Sequence, residues 1–136
     1  MATLSITEAN VNLATDVNVS VDIVQLGETI TRGQVLYVDA NNKYWRADAT
    51  SIPNAVVAGI ALTGGVADDY IVLVVAGEYK VGATVAVGTA YVLSGAAGSI
   101  ELESDLTDAA EYVTWLGYAV TTTSIFVGIN ATGVVA

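Results

Sequence analysis

Cysteine and histidine are both missing from the 136 residues, proline occurs once, and the only cations are Arg32, Lys43, Arg46 and Lys80. Without cysteine no disulfide forms and no thiolate nucleophile exists, so stability rests on packing or on oligomerisation. Without histidine there is no imidazole base, and the usual zinc and copper ligands are gone. Four cations cannot build a phosphate-binding stripe, which excludes nucleic acid as a partner. An anionic membrane surface repels a chain of net charge −10. Charged residues are only 13% of the total, against about 25% in an average soluble domain. The opening Met1-Ala2-Thr3-Leu4-Ser5-Ile6-Thr7 has neither a basic stretch nor a continuous apolar run, so no signal peptide is expected.

What is present is apolar. Hydrophobic residues make up 54%, enough for a core and for apolar surface beyond it. Tyr112 to Ala136 carries no charge and is long enough to span a bilayer. Thr121-Thr122-Thr123-Ser124 interrupts it and no Lys or Arg flanks it, so two strands joined by a polar turn are expected instead of a membrane span.

β-branched residues and aromatics recur in short runs, and no long segment holds a 3.6-residue apolar period. This predicts an all-β domain of short antiparallel strands. The expected strands are Val19–Val24, Gln34–Val38, Lys43–Ala47, Val56–Leu62, Tyr70–Ala76, Ala90–Ser94, Ser99–Leu102, Tyr112–Thr121 and Ser124–Asn130. In Val19-Ser20-Val21-Asp22-Ile23 the aliphatics alternate with Ser20 and Asp22, the pattern of a strand with one buried face. Ala40-Asn41-Asn42 should close a hairpin, because Asn tolerates the left-handed conformation. Residues 105–110 are expected to form one helical turn, with little other helix.

Residues 1–26 read as an extended N-terminal arm or as the first strand of the domain, and 27–136 as the β domain proper. Two segments, 33–76 and 88–130, show the same order of features. Gly33-Gln34-Val35-Leu36-Tyr37-Val38 matches Gly88-Thr89-Ala90-Tyr91-Val92-Leu93, and Gly59-Ile60-Ala61 matches Gly117-Tyr118-Ala119. A duplication and a generic strand meander both account for this.

No catalytic motif is found: no G-x-S-x-G elbow, no phosphate-binding Walker loop and no G-x-G-x-x-G. Carboxylates are the one plentiful ionisable group. Glu101, Glu103, Asp105, Asp108 and Glu111 crowd one segment, but Leu106 and Tyr112 stand where a calcium loop needs Gly and Glu. A solvated acidic loop is the expectation there, with a looser Ca²⁺ site as the alternative. A two-carboxylate glycosidase lacks the loop length for a cleft. The reading is therefore a protein without catalysis, cofactor or metal.

Several stretches carry a resemblance. Gly27-Glu28-Thr29-Ile30-Thr31-Arg32-Gly33-Gln34-Val35-Leu36-Tyr37, Tyr44-Trp45-Arg46-Ala47-Asp48-Ala49, Gly88-Thr89-Ala90-Tyr91-Val92-Leu93-Ser94 and Tyr112-Val113-Thr114-Trp115-Leu116-Gly117-Tyr118-Ala119 together resemble tailed-bacteriophage head decoration, or cement, proteins. The resemblance implies a compact β-barrel or β-tulip-like module, a homotrimer in preference to a dimer, and the major capsid protein as partner on the outer capsid surface. No catalytic residue comes with it. Chain position points to Ala2, Thr3, Leu4, Ile6 and Val11 as capsid contacts; aromatic character points to Trp115, Tyr118 and Phe126 as subunit contacts. The competing readings are a fibre-base or tail component, a carbohydrate-binding module using Tyr44, Trp45 and Trp115, and a small Ca²⁺-dependent adhesin.

The fold class has a direct check. Far-UV circular dichroism should show a single strand-type minimum, and a predominantly helical spectrum would refute the all-β reading.

Overall fold

Aliphatic residues on both faces of one strand set the architecture. In the computed structural model, which describes residues 3–13, 19–52, 54–103 and 111–135, Tyr70–Val81 forms a 12-residue strand with Leu73 and Val74 both buried. Neighbours in a strand point to opposite faces, so a strand with both buried must have a core on each side.

The strands in chain order are β1 (Val11–Leu13), β2 (Ser20–Leu26), β3 (Val35–Val38), β4 (Lys43–Arg46), β5 (Gly59–Ala61), β6 (Tyr70–Val81), β7 (Ala90–Leu93), β8 (Ile100–Leu102), β9 (Tyr112–Ala119) and β10 (Ser124–Val135). All nine expected strands are present, β1 is additional, and one 3-10 turn lies at Glu8–Asn10. The expected helical turn at 105–110 lies outside the described residues.

The pairing order β2-β4-β3-β5-β6 closes on itself, because β6 also pairs with β2. Inside this first ring sit Val24, Leu26, Ile30, Leu36, Ala61, Ile71 and Leu73. The opposite face of the same wall carries Val35, Ile60 and Val74, which are cross-strand neighbours. Those three belong to a second, larger core with Tyr79, Val81, Tyr91, Leu93, Ile100, Leu116, Ile125 and Val127.

That second core is enclosed by β6-β10-β9-β7-β8. The order β4-β3-β5-β6 in the first half recurs as β8-β7-β9-β10 in the second. The N-terminal segment completes the enclosure. Thr3 bridges to Glu101, the Leu4 amide donates to the Ile100 carbonyl at 2.6 Å, the Thr7 amide donates to the Gly82 carbonyl at 2.8 Å, and β1 pairs with β6.

Two expectations need correction. The strands are not uniformly short and antiparallel: β6 and β10 each have 12 residues, and β2 pairs with β4 in parallel. Strand β6 runs past Ala76 because Gly77, at φ 105°, keeps pairing with Val127 instead of ending the strand. Within residues 1–26, β1 and β2 both pair with β6 of their own chain. The alternation expected over Val19–Ile23 does not divide a buried from an exposed face, since Ser20, Val21, Asp22 and Ile23 are all exposed. Val21 and Ile23 are exposed, and β2 buries Val24 and Leu26 instead.

Hairpin β3–β4 shows how local chemistry closes these turns. Asn42 adopts φ 61°, and the Asp39 carboxylate accepts hydrogen bonds from the Asn41 amide (2.8 Å), the Lys43 amide (3.0 Å) and Trp45 Nε1 (2.8 Å). The Lys43 amide bond, followed by the Trp45 indole bond, holds this carboxyl below the ordinary value of 3.8.

Two glycines receive the N-terminal segment. A Cβ on Gly33 would meet Ile6 Cγ2 at 3.1 Å and Val11 Cγ2 at 3.2 Å. One on Gly82, at φ 79°, would meet the Thr7 carbonyl oxygen at 2.6 Å and Val11 Cγ2 at 3.0 Å. Gly33 belongs to the first ring and Gly82 follows β6, so the segment laces the two halves together. Gly82→Ala is expected to lower unfolding stability by about 1–3 kcal/mol through the left-handed backbone alone, with the carbonyl clash in addition. Urea denaturation measures the loss, and limited proteolysis should report cleavage within residues 3–12 that the parent chain resists.

Candidate assembly surface

The aromatic residues singled out in the sequence fall on β9 and β10. Phe126 lies directly opposite Tyr118 in the ladder, and their rings stack at 5.9 Å between centroids with a 26° interplanar angle. Tyr118 is 50% exposed and Phe126 38%, so the pair contributes little to the interior and presents an apolar face to solvent. Ile125, Val127 and Ala119, adjacent in sequence, are the buried partners of this alternation.

Trp115 joins the same side through a backbone irregularity. Strand β7 pairs Tyr91 with Gly117 and Val92 with Trp115, so β9 carries one extra residue at Leu116. Leu116 and Ala119 both reach the core, which leaves Trp115 and Tyr118 facing outward although they are three residues apart. Such a bulge re-aims side chains that regular alternation would send to opposite faces. Trp115 is half-buried.

The N-terminal candidates are placed differently. Thr3 is exposed at the rim of β8. Leu4 and Ile6 are half-buried and pack on the larger core. Val11 is fully buried and has no surface to offer a capsid, because its methyl groups fill the space over Gly33 and Gly82. Ala2 lies outside the described residues.

Trp45, the candidate sugar platform, is committed elsewhere. Its indole nitrogen is bonded to Asp39, and its ring lies so close over Gly27 that a Cβ there would overlap it. Trp45 and Trp115 sit on different strands that do not pair. The arrangement does not form a joint aromatic platform.

Within the acidic segment, Glu101 and Glu111 are buried while Glu103 is exposed. Asp105 and Asp108 lie outside the described residues. Among the described residues no group of three Asp or Glu side chains is placed to hold a metal ion. No described helix is long and apolar enough to cross a membrane.

Sequence reasoning missed a second apolar surface, formed by Val21 and Ile23 on β2 and Tyr70 on β6. Ile23 is 70% exposed and Tyr70 69%. The signal was present, since β2 carries aliphatics at both parities (Val21 and Ile23, then Val24 and Leu26) and only one set can face the interior of a single ring.

One buried ionisable group stands apart. The Tyr79 hydroxyl, inside the larger core, has no hydrogen-bond partner among the described residues, and burial pushes its pKa far above the ordinary 10.0. An unpartnered buried hydroxyl costs about 1–3 kcal/mol, so Tyr79→Phe should raise stability, by about 1 kcal/mol, in urea denaturation. The unfolded phenol ionises near pH 10.0 while the folded one keeps its proton. This phenol therefore leaves stability independent of pH below pH 10 and lowers it as pH rises from there toward the folded value. The variant should show a shallower alkaline decline than the parent; identical profiles would contradict the burial of this hydroxyl.

No family model matches the chain, and no curated protein is similar to it.

Proposed function

We propose that the chain is a non-enzymatic virion structural protein that binds the outside of a phage capsid and stabilises the shell, assembling with copies of itself and with the major capsid protein. The observation that carries this reading is the stacked Tyr118–Phe126 pair, exposed on a wall of paired strands and joined on the same side by Trp115. Aromatic residues held on rigid strands lose little conformational entropy on docking, which is why they dominate interface energetics. The resemblance of the Gly27–Tyr37, Tyr44–Ala49, Gly88–Ser94 and Tyr112–Ala119 stretches to decoration proteins supplies the kind of partner.

The chemistry of the remaining surface fits the same role. A net charge of −10 keeps a chain with exposed valines, isoleucines and aromatics from associating indiscriminately before it meets its shell. A clamp repeated over a lattice needs only modest affinity per contact, because multivalent attachment raises the effective concentration of each further contact. The homotrimer is the favoured assembly, with the aromatic side as the subunit contact and Thr3 as the exposed N-terminal candidate for the capsid.

The test is co-sedimentation with undecorated capsids of the cognate phage. The parent chain should pellet at a fixed ratio to the major capsid protein, and failure to bind mature shells would overturn the proposal. Replacing both Tyr118 and Phe126 by Ser should weaken self-association or shell binding by roughly tenfold or more. Because both rings lie outside the two cores, at 50% and 38% exposure, thermal unfolding of the isolated variant should stay within a few degrees of the parent.

A further inference from the structure

Strand β2 is an interior stave for only part of its length. Strand β4 pairs with it at Gln25 and Leu26, while β6 runs alongside from Ser20 to Gln25. Among the described residues nothing pairs with Ser20–Val24 on the β4 side. The Leu26 amide donates to the Asp69 carbonyl, on the β6 side, at 2.9 Å. By alternation the Val24 and Asp22 amides also face β6, and those of Ile23 and Val21 face the open edge. The outward Ile23 amide is taken at 2.9 Å by the carboxylate of its own neighbour, Asp22. A side chain thus occupies the place of a missing strand.

Beside this edge lies the surface that sequence alternation assigned to the interior. Ile23 stands opposite Val72, and Gln25 opposite Tyr70, so Val21, Ile23 and Tyr70 form an exposed apolar strip next to unpaired backbone. An open edge flanked by apolar side chains is the geometry of strand addition, in which main-chain bonds supply affinity and alternate side chains supply selectivity.

The charge on the edge decides between occupants. Pairing Ser20–Val24 antiparallel with the same segment of a second copy sets Asp22 against Asp22. Like charges directly opposite one another destabilise a ladder, here between two chains of net charge −10. A strand with a cation at that position meets the opposite situation, since its Lys or Arg pairs with the carboxylate that it displaces from the Ile23 amide.

We infer that the Ser20–Val24 edge receives an extended strand from a different protein, with aliphatic residues against Val21 and Ile23 and a lysine or arginine facing Asp22. This inference does not rest on the capsid reading, because an open acidic edge selects the same partner chemistry in any assembly.

The test uses the full-length ¹⁵N-labelled chain and two capped peptides, Thr-Val-Lys-Val-Lys-Val-Thr and its Glu-for-Lys counterpart. The lysine peptide should shift amide signals centred on residues 20–24 and slow hydrogen exchange at Val21 and Ile23, while the glutamate peptide leaves them unchanged. Ile23→Thr should weaken lysine-peptide binding about tenfold, the factor equivalent to 1.4 kcal/mol. Asp22→Lys should reverse the preference, gaining the glutamate peptide and losing the lysine one; both positions are exposed, so the fold should tolerate them. Shifts centred elsewhere, an unchanged preference in Asp22→Lys, or concentration-dependent protection of the same amides in the peptide-free chain would each overturn the inference. Capsid co-sedimentation is a separate measurement, and either result can stand without the other.

Discussion

Strand β6 cannot satisfy its own side chains unless protein lies on both of its faces. Leu73 enters the first ring and Val74, the next residue, enters the larger core. An extra residue at Val75, between the Ser20–Ala76 and Val21–Val74 pairs, then turns the strand so that its later half pairs with β10 and β1. One strand is therefore a stave of two enclosures. Neither half can form its core without the wall that it shares with the other, and close packing on both sides leaves little room for the wall to adjust.

The N-terminal segment depends on the same wall. It reaches β8 at one end and β6 at the other, and its Ile6 and Val11 lie where Gly33 and Gly82 leave space. In a chain without disulfides, this lacing couples the two halves through packing and main-chain hydrogen bonds. With Val11 fully buried, the segment belongs to the fold more than to the surface.

What remains for partners is outside the shared wall. The aromatic side of β9–β10 and the β2 edge lie on different strands and differ in chemistry. The first is a stacked apolar pair on fully paired strands. The second is unpaired backbone with a carboxylate resting on it.

The all-β class, the nine strands and their turns were legible in the residues, because β-branched alternation and Asn or Gly turn chemistry act locally. Asn42 illustrates this, adopting the left-handed conformation that its side chain tolerates. The orders β4-β3-β5-β6 and β8-β7-β9-β10 come from the pairing of strands, which sequence spacing alone does not specify. Which face of β2 is buried was not legible, since alternation shows that two faces differ without showing which one meets a core. That choice depends on β5 and β6 closing the ring from residues more than thirty positions away. The parallel β2–β4 pair, the length of β6 beyond Gly77 and the burial of Val11 have the same origin. Local sequence determined what each segment could become, and only the closing of two rings around one strand decided which side chains were left for solvent and for partners.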